Sequence, residues 1–368
     1  MMMGVFILMA SLFVAYTNGA NDNFKGVATL FGSGTSDYKR ALNWATATTF
    51  LGSLAAILLS KGLVTAFSGK GLVPNTLAQM PSFLFSVAIG TALTVGLATL
   101  TGFPISTTHA LVGGLVGAGL ASGQSVHFHK LVSSYFLPLL LSPAVSVLLT
   151  LLIYPTFQWV RKMCGINGKT CLCVDGRDEI VEVTPGGAAV LKSTGLVLTV
   201  AQMSECQTKY MGTIAGLEAQ DVLSRLHYFT AGAVSFARGL NDTPKIAALL
   251  MAAQLLGLKD AIFGIGVVIA LGGILSARKV AQTMSQRITA MNHGQGFTAN
   301  LVSAILVILA SIFSLPVSTT HVTCGSIFAI GLANGKANGT VVRNILFSWI
   351  ATLPSAGIFS AVIFHLMK

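Results

Sequence analysis

Long apolar stretches run along most of this chain and predict helices that cross a membrane. The stretches 41–60, 82–100, 131–154 and 342–366 are apolar almost throughout. Roughly 17–25 such residues in a row suffice to cross the hydrocarbon core as a helix. The pattern therefore predicts an all-α, polytopic membrane protein with about 10 to 12 membrane segments.

The composition agrees with a location in a cell membrane. Of the 368 residues, 9% are charged and 53% are apolar, whereas roughly 25% of the residues of a soluble domain are charged. A net charge of +11 is of the kind that nucleic-acid-binding proteins carry. The basic residues, however, form no cluster and lie mostly in short connections between spans, as in cytoplasmic loops. We therefore predict the lipid bilayer as a partner and no nucleic acid.

Charge density divides the chain into two membrane halves and a connector. Residues 1–160 and 219–368 are mostly apolar, whereas charged residues are frequent in 161–218. A segment of ordinary charge density belongs in water rather than in lipid. We expect 161–218 to be a water-exposed connecting loop that holds short amphipathic helices.

Two short polar motifs occur once in each half and in the same order. The segment 19–25 (Gly-Ala-Asn-Asp-Asn-Phe-Lys) recurs in the second half as 239–245 (Gly-Leu-Asn-Asp-Thr-Pro-Lys). The segment 104–109 (Pro-Ile-Ser-Thr-Thr-His) recurs there as 316–321 (Pro-Val-Ser-Thr-Thr-His). Each motif interrupts an apolar stretch, where polar residues are costly and usually functional. Paired interruptions of this kind indicate the binding site of a transporter.

The interruptions predict two kinds of irregular membrane segment. The Asn-Asp motifs predict broken transmembrane helices, in which Gly19 and Gly239 suit an unwound backbone. Pro104 and Pro316 are expected to end one helix, so that the hydroxyl triplet caps the next. Either a re-entrant hairpin or two crossing segments fits this pattern. The hairpin is preferred because it brings the hydroxyl groups to membrane depth.

The basic residues predict that the two halves form an inverted-topology repeat. In the first half, basic residues are denser in the connection that directly follows the broken helix. In the second half, they are denser in the next connection along the chain. The positive-inside rule produces this switch when the halves have opposite orientations. The residues then placed inside are Lys39, Arg40, Arg161, Lys162, Arg278, Lys279 and Arg287. Both termini are accordingly predicted outside, and the connecting loop is predicted to be cytoplasmic.

The Asn-Asp pairs are candidate ligands for a cation. A carboxylate at membrane depth must be protonated, paired or bound to a cation, and hard cations such as Na⁺ take oxygen ligands. Asp22 and Asp242 offer charged oxygens, and Asn21 and Asn241 offer neutral ones. Capping of a half-helix and proton relay are the alternatives. The same dipeptide in two membrane interruptions favours cation binding.

The Ser-Thr-Thr triplets are candidate ligands for an anion. Hydroxyl groups at a helix start, with free backbone N–H groups behind them, form an anion site. Two such caps facing each other would surround a tetrahedral oxyanion with donors. The candidate residues are Ser106, Thr107, Thr108, Ser318, Thr319 and Thr320. Ordinary capping after proline is the alternative, and the duplication in an apolar context argues against it.

Four further residues flank the motifs and are candidates for a supporting role. Lys25 and Lys245 follow the aspartates by three positions, so that each can pair with its aspartate, attract an anion or extend toward water. His109 and His321 follow the hydroxyl triplets. Each histidine can donate to the anion and tune its protonation state, or bond a backbone carbonyl behind the site.

The four motif segments resemble those of the PiT family of inorganic phosphate transporters, and the resemblance covers both halves but not the connector. It implies an inverted-repeat transporter that carries inorganic phosphate together with Na⁺ or H⁺ and assembles as a homodimer. The family motif is often written Gly-Ala-Asn-Asp-Val-Ala-Asn-Ala. In this chain Lys25 and Lys245 stand where the second Asn of that motif would be, so a role of that Asn does not carry over.

These observations together predict a sodium-coupled symporter of inorganic phosphate that works by alternating access. Phosphate would be held by the Ser-Thr-Thr caps, and Na⁺ by the Asn-Asp pairs beside them. A proton-coupled phosphate permease or a sulfate permease of the same fold is the nearest alternative, and a passive anion channel is a more distant one. No Gly-x-Ser-x-Gly, His-Glu-x-x-His or phosphate-loop pattern is present, and we predict neither enzymatic activity nor a bound cofactor.

Overall fold

Helices make up the membrane part of the chain. The computed structural model describes residues 2–166, 170–183, 189–202 and 217–368. In the first half the helices are α1 (Met2–Asp22), α2 (Ala28–Gly32), α3 (Tyr38–Leu59), α4 (Lys61–Phe67), α5 (Asn75–Ala78), α6 (Pro81–Thr101), α7 (Thr107–Ala121), α8 (Phe128–Lys130) and α9 (Leu137–Met163). A 3₁₀ turn lies at Lys25–Val27 and a π-helical turn at Leu131–Phe136.

The second half has six described helices, and its longer helices follow a similar order. Its helices are α10 (Ala219–Ala252), α11 (Leu258–Ser276), α12 (Arg278–Gln282), α13 (His293–Ile312), α14 (Thr319–Ala333) and α15 (Gly339–Leu366). A π-helical turn at Thr283–Arg287 follows α12. The membrane part is thus all-helical, as predicted.

Seven of the described helical segments are long and apolar enough to cross a membrane. They are Met2–Gly32, Tyr38–Leu59, Pro81–Thr101, Phe128–Met163, Leu258–Ser276, His293–Ile312 and Gly339–Leu366. The helices α7 and α14 have 15 residues each, which corresponds to about 22 Å and falls short of the roughly 30 Å core. Each Ser-Thr-Thr motif therefore joins a full-length helix to a shorter one, so the two arms of a predicted hairpin are unequal.

The connector contains strands, which corrects the expectation of short amphipathic helices. The strands β1 (Thr170–Val183), β2 (Ala189–Gln202) and β3 (Leu217–Glu218) form an antiparallel sheet in the order β2-β1-β3. Thr170 pairs with Gln202 at one end of the β1–β2 ladder. The sheet belongs to a compact unit, Pro155–Leu226, and both membrane halves belong to another, Met1–Tyr154 with His227–Lys368.

The two Asn-Asp motifs lie in different local structures. Helix α1 ends at Asp22, and a turn followed by the 3₁₀ turn separates it from α2, so the first helix is broken as predicted. Helix α10, by contrast, runs without interruption through the second motif and contains Pro244. Because proline has no backbone N–H, it removes one hydrogen bond from this helix. The second copy is therefore a continuous helix, and the predicted break is absent there.

Gly19 and Gly239 serve close helix packing, which corrects the expectation of an unwound backbone. Both lie inside helices. A Cβ atom on Gly19 would lie 2.0 Å from the carbonyl oxygen of Ile269 in α11, and a Cβ atom on Gly239 would lie 2.0 Å from that of Thr49 in α3. Small residues let membrane helices approach each other this closely.

Replacing either glycine by alanine should therefore destabilise the protein by about 1–3 kcal/mol, because an extra methyl group in a packed interface forces the backbones apart. Gly264 on α11 provides a matched control, because a Cβ atom there meets nothing within 4 Å. Thermal melting of the purified variants checks the prediction. A Gly19→Ala or Gly239→Ala protein that melts like the Gly264→Ala protein would contradict it.

The helices α6 and α13 both end just before a Ser-Thr-Thr motif, with a left-handed residue and then a proline. Helix α6 ends at Thr101 and is followed by Gly102, which has a φ of 80°, a left-handed conformation that glycine adopts readily. Ser314, at the corresponding place after α13, has a φ of 59°. Pro104 and Pro316 follow in the two halves. The next helices, α7 and α14, then begin directly after a serine N-cap.

Candidate functional site

The four motif segments meet in one buried site. Thr107, at the start of α7, lies with its hydroxyl oxygen 3.3 Å from Oδ2 of Asp22, to which it donates. In the second half, Thr319 at the start of α14 donates in the same way to Oδ2 of Asp242, at 3.4 Å. All four side chains are buried. The structure thus brings the predicted cation ligands and the predicted anion ligands together.

Lys25 joins the two halves of the site. Its ammonium group donates to Oδ1 of Asn21 at 2.9 Å and forms a short contact with Oδ1 of Asp22. It also donates to the carbonyl oxygen of Ile105 at 2.8 Å. A fourth bond, of 2.6 Å, reaches the hydroxyl of Thr320 in the other half. The ammonium group is therefore surrounded by four oxygens from three segments of the chain.

Lys245 makes the corresponding crossing in the opposite direction. Its ammonium group donates to the hydroxyl of Thr108 in the first half at 2.7 Å and to the carbonyl oxygen of Val317 at 2.9 Å. Oδ1 of Asp242 lies 3.5 Å away. Each lysine thus contacts the third residue of the hydroxyl triplet of the other half. The contacts of Lys25 and Lys245 are therefore equivalent, with the two halves exchanged.

The two asparagines of the motifs are anchored by their own halves. Asn21 donates from its side-chain amide to the hydroxyl of Thr99 at 3.0 Å and accepts from the backbone N–H of Ile105 at 3.1 Å. Asn241 accepts from the hydroxyl of Ser311 at 3.3 Å. Thr99 and Ser311 precede the prolines of their motifs by the same number of positions and are therefore equivalent in the two halves. Both asparagines are held in fixed orientations beside the aspartates.

Arg238 is part of the site and was missed by the reasoning from sequence. Its guanidinium donates to Oδ1 of Asn18 at 2.6 Å and to Oδ1 of Asn23 at 3.1 Å. Its Nε lies 3.8 Å from Oδ2 of Asp242. Arg238 directly precedes the second Asn-Asp motif, as Asn18 directly precedes the first, so the two positions are equivalent. The available signal was a basic residue one helical turn before the aspartate, at a spacing that places both on one face.

The six hydroxyl groups of the two triplets have different tasks. Oγ of Ser106 accepts from the backbone N–H of His109 at 3.1 Å, and Oγ of Ser318 accepts from that of His321 at 3.2 Å. The serines are therefore the N-caps of α7 and α14. The four threonine hydroxyls contact the carboxylates and ammonium groups instead. Capping alone thus accounts for the serines and not for the threonines.

The two histidines lie against each other behind the caps. The ring centres of His109 and His321 are 4.5 Å apart, and the ring of His321 stacks on that of Trp349 at 3.8 Å. Trp349 donates from its indole N–H to the carbonyl oxygen of Pro104 at 3.0 Å. The histidine rings therefore link the start of α7 to α14 and α15, and a supporting role in the site remains a prediction.

The charged groups of the site do not cancel. Lys25, Lys245 and Arg238 provide three cations, and Asp22 and Asp242 provide two carboxylates. Each of these side chains exposes no more than 4% of its surface. An excess of one positive charge in a buried site is unfavourable unless an anion compensates it. The arrangement can therefore bind an anion among threonine hydroxyls and ammonium groups.

Comparison with known proteins gives consistent matches over nearly the whole chain. The model of the phosphate transporter family matches residues 18–360. A phosphate permease of Haemophilus influenzae is 30% identical, with 97% of this chain and 94% of that protein covered. A phosphate permease of Pyrococcus abyssi is 29% identical, with 98% and 96% covered. A low-affinity inorganic phosphate transporter of Rhizobium meliloti is 28% identical, with 97% and 94% covered.

A solved structure shares the fold. It is described as the sodium-dependent phosphate transporter and superimposes with a TM-score of 0.77 over 100% of this chain and 99% of the other. The sequence identity is 22%. This match extends over both membrane halves and the connector.

Proposed function

Because this chain belongs to the phosphate transporter family, we propose that it is a secondary active transporter that carries inorganic phosphate across the membrane by alternating access. The family membership makes a transporter the appropriate class, rather than an enzyme. The proposal for this chain is that phosphate binds among the threonine hydroxyls of the buried site and that the site opens to each side of the membrane in turn.

The observation that carries the proposal is a buried cluster of hydroxyl donors with an excess of positive charge. Thr107 and Thr319 face the carboxylates, and Thr108 and Thr320 face the ammonium groups. Hydroxyl and ammonium donors are suited to the oxygens of a tetrahedral anion. Ser106 and Ser318 would assist indirectly, because they hold the helix starts that carry these threonines.

The carboxylates favour phosphate over sulfate as the substrate. Phosphate retains a proton on at least one oxygen near neutral pH, and this P–OH group needs an acceptor. Asp22 and Asp242 lie within hydrogen-bond distance of Thr107 and Thr319, so each can accept from a phosphate bound there. Sulfate carries no such proton and would be repelled by a carboxylate.

Burial of the site supports alternating access rather than a passive channel. The lysines, the aspartates and Arg238 are almost completely buried, so phosphate can reach them only when the surrounding helices move. A channel requires weak binding at several places along an open path. The contacts of Lys25 with Thr320 and of Lys245 with Thr108 cross between the halves, and opening of the site would separate them.

The sidedness and the assembly are part of the same proposal. The basic residues after α2 and after α11 support a cytoplasmic connector with both termini outside, by the positive-inside rule. The resemblance to the PiT family supports an inverted repeat and a homodimer. The coupling cation is predicted to be Na⁺. Whether Na⁺ can bind is decided by whether the oxygens of the Asn-Asp pairs are free to contact it or are already bound to other groups of the protein.

Uptake of radioactive phosphate into proteoliposomes tests the proposal. We expect saturable uptake that excess sulfate does not inhibit. The double variant Thr107→Val/Thr319→Val should lower the ratio of maximal rate to half-saturation concentration by at least about 10-fold, because hydrogen bonds to a charged group are each worth about 1.5–3 kcal/mol. The control is Thr65→Val/Thr101→Val, whose residues are exposed. Uptake that does not saturate, or a pair of double variants with equal rates, would contradict the proposal.

A further inference from the structure

The ammonium group of Lys25 lies where a hard cation would be expected to bind. Its four oxygen partners are the carboxylate of Asp22, the amide of Asn21, the carbonyl of Ile105 and the hydroxyl of Thr320. Carboxylate, amide, carbonyl and hydroxyl oxygens converging on one point are the ligand set that hard cations such as Na⁺ take. In this chain the point at which they converge is filled by the lysine itself.

The second half repeats this arrangement with Lys245. Its ammonium group has the hydroxyl of Thr108 at 2.7 Å, the carbonyl of Val317 at 2.9 Å and the carboxylate of Asp242 at 3.5 Å. Each of these oxygens is the counterpart of an oxygen around Lys25. The ring of Phe67, 5.5 Å away, covers the ammonium group from another side. Of the predicted Na⁺ ligands, Asn21, Asp22 and Asp242 thus lie against a lysine ammonium group. The side-chain oxygen of Asn241 accepts from Ser311 instead.

The position of each lysine in its motif explains how the side chain reaches this point. Lys25 and Lys245 follow the aspartates by three positions, at a place where the motif of the resembling family has Asn. An asparagine side chain is too short to reach the centre of the oxygens and would leave room for an ion. A lysine side chain reaches the centre and brings its own charge.

The charge of the site also argues against additional cations. The site already carries an excess of one positive charge among its buried side chains. A Na⁺ bound to the same oxygens would lie next to an ammonium group, and like charges repel strongly in a low-dielectric interior. A bound Na⁺ would compensate the negative charge of the anion, and in this site the two lysines provide that positive charge. The oxygens of this site therefore do not fit Na⁺ while both lysines are present.

We propose that the ammonium groups of Lys25 and Lys245 replace the coupling cations as fixed charges, so that this protein binds and carries phosphate without Na⁺. The proposal rests on the proposed function as far as transport of phosphate is concerned. Because a fixed charge stays with the protein, no Na⁺ gradient can drive uptake through these two positions. Of the two coupling ions considered, the proposal favours the proton.

Uptake with exchanged cations is the first test. The initial rate of phosphate uptake by the wild-type protein should be unchanged when external Na⁺ is replaced by K⁺ at constant pH. The double variant Lys25→Asn/Lys245→Asn should take up phosphate faster in Na⁺ than in K⁺, by a factor within the roughly 5- to 150-fold range of measured couplings between sites. The control Lys39→Asn/Lys61→Asn, which changes two exposed lysines, should behave like wild type.

Thermal melting of the purified protein tests the same inference without transport. A ligand that binds only the folded state raises the melting temperature with concentration. We expect no difference between NaCl and KCl for the wild-type protein, and a saturable rise specific to NaCl for Lys25→Asn/Lys245→Asn. The comparison of wild-type melting in NaCl and in KCl tests whether the protein binds Na⁺ even if the double variant does not fold.

The two measurements separate the failure of this inference from the failure of the proposed function. Wild-type uptake that stops in K⁺, or a saturable rise of the wild-type melting temperature specific to NaCl, would overturn the inference and leave phosphate transport standing. Absence of phosphate uptake in every salt would overturn the proposed function, and melting would still decide whether the lysines exclude Na⁺.

Discussion

Replacing Asp22 by alanine is expected to lower the free energy of unfolding by about 3–5 kcal/mol, because the change leaves a buried charge without its partner. Lys25 and Asp22 are each 1% exposed, so water cannot compensate the ammonium group once the carboxylate is removed. Removal of both groups in Asp22→Ala/Lys25→Ala should recover much of the loss. Unfolding of the purified protein in detergent, followed by circular dichroism, measures the difference.

The chain contains a matched ion pair at the surface that serves as the control. Arg40 and Asp37 have the same spacing of three positions, but their side chains are 81% and 56% exposed. Exposed pairs contribute about 0–1 kcal/mol, so Arg40→Ala should change the stability little. If Asp22→Ala costs no more than Arg40→Ala, the carboxylate is not the counterion of a buried lysine.

Replacing Arg238 by leucine is expected to lower the maximal rate of phosphate uptake by roughly 100-fold or more, since at least two hydrogen bonds from a charged group are lost at about 1.5–3 kcal/mol each. The guanidinium holds the side-chain oxygens of Asn18 and Asn23 from the first half and lies beside Asp242 of the second. Without it, the site loses its positive excess and one of its links between the halves. Proteoliposome uptake measures the effect.

Two further variants distinguish the charge of Arg238 from its geometry. Arg238→Lys retains the charge but not the planar fork of donors, and it should give an intermediate rate. Arg225→Leu changes an exposed arginine on the same helix and should transport like wild type. A rate for Arg238→Leu that equals the rate for Arg225→Leu would show that the guanidinium is not needed.

The sequence was sufficient to predict which segments the structure brings together in the candidate site. Polar residues in apolar stretches are costly, and their duplication in the same order in both halves singled out the Asn-Asp and Ser-Thr-Thr segments. The structure places these segments against one another, with Thr107 on Asp22 and Thr319 on Asp242. Candidate ligands could be named from each motif alone because carboxylates and helix-capping hydroxyls have few roles at membrane depth, and the ion that each motif binds stays a prediction.

The contacts between the halves could not be predicted from the sequence. The repeat relates equivalent positions but gives no distance between the halves, so it did not reveal that Lys25 reaches Thr320 and Lys245 reaches Thr108. Arg238 escaped notice because its equivalent, Asn18, is uncharged and the pair therefore does not appear as a repeat. The two residues nevertheless bind each other in the site.

The local sequence also could not predict whether the helix is broken or continuous at each Asn-Asp motif. A glycine followed by Asn-Asp is compatible with both a broken and an intact helix. Tertiary packing decides between them, and in α10 the helix persists through Gly239 and Pro244. The tight approach of Gly19 to α11 and of Gly239 to α3 depends on neighbours that are far away in the sequence.

Determination of a structure of the protein in lipid nanodiscs with saturating phosphate tests the central claim most directly. We expect tetrahedral density between the starts of α7 and α14, in contact with the hydroxyls of Thr107 and Thr319 and with the ammonium groups of Lys25 and Lys245. Phosphate density at another place, with these side chains still bound only to one another, would contradict the assignment of this cluster as the transport site.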